Sequence, residues 1–186
     1  NILIIGKTGV GKSSLINAVF RDDLAKTGIG RPITQKIEEI TKDGLPISIL
    51  DTKGLELEDY QEIKNSILAE VDGRAGEDAD KYVHLAWICI AENGTRIEKA
   101  EEDIAKELLK RGVRVIIVIT KVSKFQNNEF KEIILKEFSG ICSDVCLTRR
   151  INENIYDDDD ENKIVAHRSV KGINELINLS YRYIPE

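Results

Sequence analysis

Apolar runs and segments with helical periodicity alternate along this chain. Residues 2–5, 82–91 and 113–120 are nearly continuous apolar runs, which is typical of parallel strands covered on both faces. Apolar residues recur at helical spacing over residues 13–20, 57–72, 96–111, 130–138 and 173–181. This alternation predicts an α/β layered fold with a mostly parallel sheet.

Three further strands are predicted around this framework. Residues 36–41 and 46–50 flank the dipeptide Asp43-Gly44, a strong turn signal, so we expect these two strands to be antiparallel neighbours. Residues 164–166 are predicted to form the last strand, directly before the final helix.

Residues 139–163 interrupt the alternation. They show no clean period, and residues 157–161 form a block of five acidic side chains. Because a block of like charge repels itself and stays in water, we predict a solvated, mobile insertion with an acidic loop. The residue types also leave open a cation site or an interaction loop here.

Composition narrows the class of protein. With 186 residues, the chain is long enough for one domain that needs no disulfide or metal for stability. A net charge of −6 argues against nonspecific nucleic-acid binding. Three cysteines, an odd number, indicate a reducing compartment, and no apolar run reaches the roughly 18 residues of a membrane span. We therefore expect a cytoplasmic location. The lack of any Met suggests a slice of a longer protein.

A phosphate-binding pattern lies between the first strand and the first helix. Residues 6–13 read G-K-T-G-V-G-K-S and match G-x-x-x-x-G-K-[ST] in full. Glycines let the backbone wrap closely around phosphates, so that successive N–H groups and the helix N-terminus face anionic oxygens. In this pattern Lys12 reaches the β- and γ-phosphates, and the Ser13 hydroxyl coordinates Mg²⁺.

Two later positions extend this site. Asp51 and Gly54 form a D-x-x-G pattern at the end of the strand over residues 46–50, where ligands bind in open α/β sheets. Asp51 can hold the metal, and the Gly54 N–H can sense the γ-phosphate. Thr34 lies in the loop before the hairpin, where a hydroxyl can complete the Mg²⁺ shell in the triphosphate state.

The order of these motifs resembles that of the small GTP-binding domains, in particular the Era-like branch of the translation-factor-class GTPases. The match continues with Thr120-Lys121 after the fifth strand and Ser169-Val170-Lys171 after the sixth. The resemblance implies a three-layer P-loop NTPase fold, with helices on both faces of a six-stranded sheet that has one antiparallel edge strand. It also implies GTP and Mg²⁺ as ligands, GTP hydrolysis, and two loops that change with the nucleotide.

The resemblance also assigns roles to individual residues of this chain. Catalysis is assigned to Lys12, Thr34 and Gly54, and the metal to Ser13, Thr34 and Asp51. The nucleotide-binding residues it implies are Thr8, Gly9, Val10, Gly11, Lys12, Ser13, Ser14, Thr120, Lys121, Ser123, Ser169, Val170 and Lys171.

Two departures from the family bear on function. The base-reading motif N/T-K-x-D ends here in Ser123, so an ATPase or a promiscuous nucleotidase is an alternative, and Ser123→Asp is expected to raise the GTP-to-ATP preference. Leu55 stands where Ras-like enzymes place the glutamine that orients water, so slow hydrolysis is expected. A nucleotide-binding scaffold with negligible turnover is a further alternative.

The sequence does not identify a specific partner. Besides GTP and GDP, we expect a protein or ribonucleoprotein effector, with nucleotide-dependent self-association as a further possibility for this type of domain. No feature of the sequence indicates DNA or membrane binding.

Overall fold

The computed structural model describes residues 1–21, 37–56, 58–76, 78–94, 97–150, 153–156 and 164–184. The strands are β1 (Ile2–Ile5), β2 (Glu38–Thr41), β3 (Ser48–Asp51), β4 (Leu85–Ala91), β5 (Arg114–Thr120), β6 (Asp144–Leu147), β7 (Glu153–Tyr156) and β8 (Ile164–Arg168). The helices are α1 (Lys12–Phe20), α2 (Tyr60–Arg74), α3 (Lys99–Lys110), α4 (Glu129–Glu137) and α5 (Ile173–Tyr181), with short 3₁₀ turns at Ala79–Lys81 and Glu92–Gly94.

Six strands form the central sheet in the order β2-β3-β1-β4-β5-β6. The pairs β1–β3, β1–β4, β4–β5 and β5–β6 are parallel, and β2 pairs with β3 antiparallel at the edge. The predicted hairpin around Asp43-Gly44 is therefore confirmed. Since parallel strands point the same way, β1, β3, β4, β5 and β6 all end at one edge of the sheet.

The sheet is covered on both faces, as its continuous apolar strands predict. Alternate residues of each strand point to opposite faces, and on β1 Leu3 and Ile5 join one buried cluster while Ile2 and Ile4 join the other. The first cluster contains apolar residues of α2, α3 and α4, and the second contains those of α1 and α5. The predicted three-layer α/β fold is confirmed.

The sixth strand of the sheet is not where the sequence predicts it. The prediction of a last strand at residues 164–166 matches β8, but β8 pairs antiparallel with β7 in a separate two-stranded sheet. The sixth strand is β6, within the range 139–163 that showed no period. Its apolar core is only the three buried residues Val145, Cys146 and Leu147, too short to show a period.

The β7–β8 segment begins and ends at a pair of backbone hydrogen bonds. Arg149 N–H donates to Lys171 O at 2.9 Å, and Lys171 N–H donates to Arg149 O at 2.8 Å. The chain thus leaves the end of β6 and returns next to it before α5 begins. The acidic block at 157–161 lies outside the described residues, so its role as a solvated loop stays a prediction.

Within the described part of the chain, no helix combines the length and apolar character that a membrane crossing requires.

Candidate functional site

The phosphate loop connects β1 to α1 at the edge where the parallel strands end. Its three glycines have positive φ, 154° at Gly6, 76° at Gly9 and 107° at Gly11. A Cβ at Gly6 would lie 2.6 Å from the carbonyl oxygen of Cys89 on β4, so only glycine fits there. Gly11 is the N-cap of α1 and has no side chain to cap the first turn. The amides of that turn can therefore face an anion.

Lys12 lies beneath this loop and is only 8% exposed. Its Nζ donates to the carbonyl oxygens of Gly6 at 2.7 Å and Lys7 at 3.3 Å. Burial lowers the pKa of Lys12, and the nearby carboxylate of Asp51 opposes this effect. The loop therefore holds a desolvated cation among its own carbonyl groups, where phosphate oxygens can replace them.

Asp51 ends β3 beside the same loop and is 4% exposed. Burial raises the pKa of this carboxyl to about 6, although the charge of Lys12 lowers it. Its Oδ1 has no hydrogen-bond partner among the described residues. A buried carboxylate oxygen without a donor suits a hard cation, and Ser13 in the first turn of α1 can add a hydroxyl oxygen.

These donors fit Mg²⁺. One carboxylate oxygen and one hydroxyl oxygen suit Mg²⁺, which takes one or two protein ligands and completes its shell with phosphate oxygens and water. Thr34, the remaining predicted ligand, lies outside the described residues.

The D-x-x-G segment packs directly onto the phosphate loop. A Cβ at Gly54 would lie 2.7 Å from the backbone nitrogen of Thr8, so this approach requires glycine. Leu55 N–H donates to Gly6 O at 3.2 Å, and the Leu55 side chain is 1% exposed in the core. Leu55 therefore cannot face a water molecule in the site.

Glu56 also contacts the phosphate loop, and no sequence motif marked it. Its Oε1 accepts a hydrogen bond from Thr8 N–H at 2.9 Å. Burial raises the pKa of Glu56, but hydrogen bonds from Thr8 and the charges of Lys7 and Lys12 together outweigh this effect, so the pKa lies below its ordinary value. A carboxylate thus occupies one of the amides that the loop can offer to phosphate.

Of the residues predicted to bind the base, Thr120 is buried, whereas Lys121 and Ser123 are exposed. The Thr120 hydroxyl is buried and donates to Val10 O at 2.7 Å, which ties the end of β5 to the phosphate loop. Lys121 follows with φ of 56° and is exposed. Ser123 is also exposed, and both its N–H and its hydroxyl donate to Glu92 Oε2, at 2.7 and 2.5 Å.

Arg149 connects this loop to the predicted segment 169–171. Its Nε donates to Ser169 O at 3.0 Å, and its Nη1 donates to Ser123 O at 3.2 Å. The Arg149 guanidinium lies 5.0 Å from the centre of the Phe125 ring, and Lys171 Nζ lies 4.9 Å from it. Ser169, Val170 and Lys171 are exposed. The structure therefore brings the two predicted base loops together.

Sequence patterns missed Glu92 and Arg149 because neither belongs to a motif. Their positions become informative only once the order of strands is known: Glu92 directly follows β4, and Arg149 is the second residue after β6, so both lie at the ligand edge of the sheet.

A cavity of about 290 Å³ opens beside the phosphate loop. It is lined by residues 7–10, by Ala91 at the end of β4, by Glu98 and by Lys121, and Glu98 forms an ion pair with Lys7. A larger cavity, about 710 Å³, lies against Asn1, Ser48 and Arg74, away from these motifs. Because residues of the phosphate loop line the smaller cavity, we take it as the candidate nucleotide site.

Comparison with known proteins agrees with this geometry. Residues 1–121 match the family model described as 50S ribosome-binding GTPase. GTPase Der from Kosmotoga olearia is 31% identical over 145 residues, which is 74% of this chain and 30% of Der. Translocase of chloroplast 101 from Physcomitrium patens is 46% identical over 56 residues, 29% of this chain and 6% of that protein. The chain thus spans less than a third of these relatives.

The fold has solved counterparts. The crystal structure of Era in complex with MgGDPNP and a segment of 16S ribosomal RNA covers 100% of this chain and 56% of Era, with a TM-score of 0.67 and 18% identity. This likeness confirms the fold. Because the family model covers more than half of the chain, including the phosphate loop and the D-x-x-G segment, the chain belongs to the 50S ribosome-binding GTPase family of GTP-binding P-loop domains.

Proposed function

We propose that this chain binds GTP with Mg²⁺, hydrolyses it slowly and acts as a nucleotide-controlled switch. The observation that carries the proposal is that the buried Lys12 and the buried Asp51 lie close enough beneath the phosphate loop for each to shift the pKa of the other. The buried Lys12 ammonium group and the uncapped first turn of α1 offer positive charge to the phosphates. The unpartnered Asp51 Oδ1 offers an anionic oxygen to the metal.

The predicted roles of the site residues are compatible with these positions. When bound, Mg²⁺ neutralises charge on the phosphate oxygens. Lys12 holds the phosphates in place, and Gly54 packs against Thr8 of the loop, where its N–H can bind the γ-phosphate. Ser13, Asp51 and Thr34 are the proposed metal ligands, with Thr34 still a prediction from sequence.

Slow hydrolysis follows from the lack of a group that positions water at residue 55. Leu55 is buried in the core, and Gly9 stands where potassium-stimulated relatives carry an asparagine. We expect an intrinsic rate below about 10⁻³ s⁻¹, the scale of unassisted Ras-type domains. An activating partner or self-association would then supply the missing group.

Switching is supported by the contacts of the D-x-x-G segment. Glu56 accepts a hydrogen bond from the Thr8 amide of the phosphate loop. An arriving phosphate competes for the same amide, so triphosphate binding displaces Glu56 and shifts residues 54–56. An effector that contacts this segment can distinguish the two states. A protein or ribonucleoprotein effector and a cytoplasmic location remain part of the proposal.

Single-turnover phosphate release tests hydrolysis. Wild type, Asp51→Asn and Asp78→Asn are incubated with limiting GTP, with Mg²⁺ and with EDTA. We expect slow Mg²⁺-dependent release by wild type, at least a tenfold loss in Asp51→Asn, and no change in Asp78→Asn, which alters an exposed carboxylate outside the site.

The other outcomes distinguish the alternatives. Tight GTP binding without release, even at high protein concentration, would show a scaffold without turnover. Equal release from ATP and GTP would show a promiscuous nucleotidase. Unaltered release in Asp51→Asn would contradict the assigned metal site.

A further inference from the structure

We propose that Glu92 supplies the negative charge that the base-reading loop lacks at Ser123, and that Glu92 thereby makes the site selective for guanine over adenine. This inference rests on the proposed function, because it takes the base of a bound nucleotide to lie over residues 121–123. Glu92 is then a specificity-determining residue outside the base-reading loop. It follows β4, whereas the loop that contains Ser123 follows β5.

Sheet register brings Glu92 to the loop. β4 and β5 are parallel neighbours, with Ala91 paired opposite Thr120 as the last residue of each strand. The next residues, Glu92 and Lys121, therefore leave the sheet side by side. Glu92 begins the 3₁₀ turn Glu92–Gly94, is half-buried, and directs its carboxylate toward the loop that follows β5.

Hydrogen bonds from Ser123 and Asn128 hold the Glu92 carboxylate in place. Oε2 accepts from Ser123 N–H at 2.7 Å and from the Ser123 hydroxyl at 2.5 Å. Oε1 accepts from Asn128 Nδ2 at 2.5 Å, and Asn128 caps the N-terminus of α4 through Lys131 N–H. Hydrogen bonds to a carboxylate are about twice as strong as neutral ones, so this arrangement orders residues 120–128 as a unit.

As a consequence, the Ser123 hydroxyl can accept a hydrogen bond from a ligand but has no proton left to donate to one. A hydroxyl has one proton to donate and two lone pairs that accept. Because the Ser123 proton is donated to Glu92, only lone pairs remain for a base, and the negative charge behind the hydroxyl strengthens them as acceptors. Ser123 backed by Glu92 thus presents an acceptor toward the site, as a carboxylate at residue 123 would.

This polarity discriminates between purines. Guanine carries two adjacent donors on one edge, its N1–H and its exocyclic amino group, whereas adenine carries an acceptor at N1. An acceptor-only hydroxyl stabilises the guanine edge and faces the adenine N1 lone pair with no proton to share. Without Glu92, the hydroxyl could rotate and donate to adenine, and the preference would disappear.

The arrangement also changes the expectation for Ser123→Asp. That substitution alone would place a second carboxylate beside Glu92, and two like charges at hydrogen-bond distance oppose each other. The gain in GTP preference expected from the sequence should therefore be absent in the single variant. It should appear when Glu92 is neutralised at the same time.

The experiment measures the affinities of GTP, ITP and ATP at fixed Mg²⁺ for five proteins: wild type, Glu92→Gln, Ser123→Asp, the double variant Glu92→Gln/Ser123→Asp, and Glu129→Gln. The last is the matched control, because it removes one exposed carboxylate in the first turn of α4, just after the same loop. Thermal unfolding of each variant establishes that it is folded.

We expect wild type and Glu129→Gln to prefer GTP over ATP, and Glu92→Gln to lower that preference about tenfold or more, the scale of one charge-assisted hydrogen bond. ITP lacks the exocyclic amino group of guanine, so its affinity should fall less than that of GTP. The double variant should regain the GTP preference, which a purely structural role of Glu92 would not produce.

The outcomes separate this inference from the proposed function. If wild type binds no triphosphate, the proposed function fails and the inference fails with it. If wild type binds triphosphates but the GTP-to-ATP ratio is the same in Glu92→Gln, or the double variant does not regain it, the role of Glu92 is overturned while the phosphate site stands.

Discussion

At the scale of single residues, the site contains two buried ionisable groups of opposite charge that lie near each other. Lys12 and Asp51 lie beneath the phosphate loop, where each opposes the effect of burial on the pKa of the other. The phosphate loop could be predicted residue by residue because its constraint is local, namely glycines at positive φ followed by a lysine in the first helical turn.

Glu56 and Glu92 could not be predicted in this way. Glu56 lies 48 residues from Thr8, and Glu92 lies 31 residues from Ser123, so their contacts depend on the register of the sheet rather than on a local pattern. A glutamate after a strand is also too common to be informative without that register.

Glu101 supports a prediction about pH. It is 4% exposed in the first turn of α3, and burial raises its pKa from 4.5 to about 7, although a hydrogen bond from Glu98 N–H lowers it. Between pH 4.5 and 7, Glu101 therefore keeps its proton in the folded state, whereas it is ionised in the unfolded state. Linkage then requires the free energy of unfolding to fall as pH rises through this window, by at most about 3 kcal/mol from this group.

Glu101→Gln should remove that fall. Gln keeps the acceptor for Glu98 N–H but cannot ionise, so the variant should gain stability relative to wild type between pH 4.5 and pH 8. Urea unfolding at both pH values measures the difference, with Glu137→Gln on the exposed face of α4 as control. An equal pH dependence in wild type and Glu101→Gln would contradict the buried, protonated state.

At the scale of elements, long periodic segments were predicted and short ones were not. β4 and β5 are seven residues each, with continuous apolar runs that identify central strands. β6 has four residues at the edge of the sheet, and its place follows from pairing with β5 rather than from its own pattern. The last strand predicted from sequence, β8, pairs with β7 rather than with the central sheet. Periodicity shows that a segment is a strand but not which strand it pairs with.

The Arg149–Lys171 bridge predicts that the β7–β8 segment can be removed. Replacing residues 151–168 with Asn-Gly leaves a five-residue loop between the paired residues, a length that hairpins accommodate. The shortened chain should melt within a few degrees of wild type and keep its Mg²⁺-GTP affinity within about threefold. Circular dichroism and nucleotide titration measure both.

A comparison variant shows whether the assay detects damage at this junction. Gly172 has φ of 86°, and a Cβ there would collide with the carbonyl group of Leu147, so Gly172→Ala should lower the melting temperature clearly. If deletion of residues 151–168 abolishes nucleotide binding in a folded protein, the hairpin is part of the site and this prediction is wrong.

At the scale of the whole molecule, the site exists only because five parallel strands end at one edge. β1 contributes the phosphate loop, β3 contributes Asp51, β4 contributes Glu92, β5 contributes residues 120–123, and β6 leads to Arg149. Motifs in the sequence predicted the phosphate loop, Asp51 and residues 120–123. Glu92 and Arg149 follow only from the order of strands in the sheet.

The most direct test of the account is a calorimetric titration of wild type and Lys12→Ala with the non-hydrolysable analogue GDPNP, with Mg²⁺ and with EDTA. We expect saturable binding by wild type that weakens at least about tenfold without Mg²⁺. Lys12→Ala should remain folded but show no binding, because the phosphates lose the cation that the loop encloses. Binding that is equal with and without Mg²⁺, or equal in the two proteins, would contradict the account.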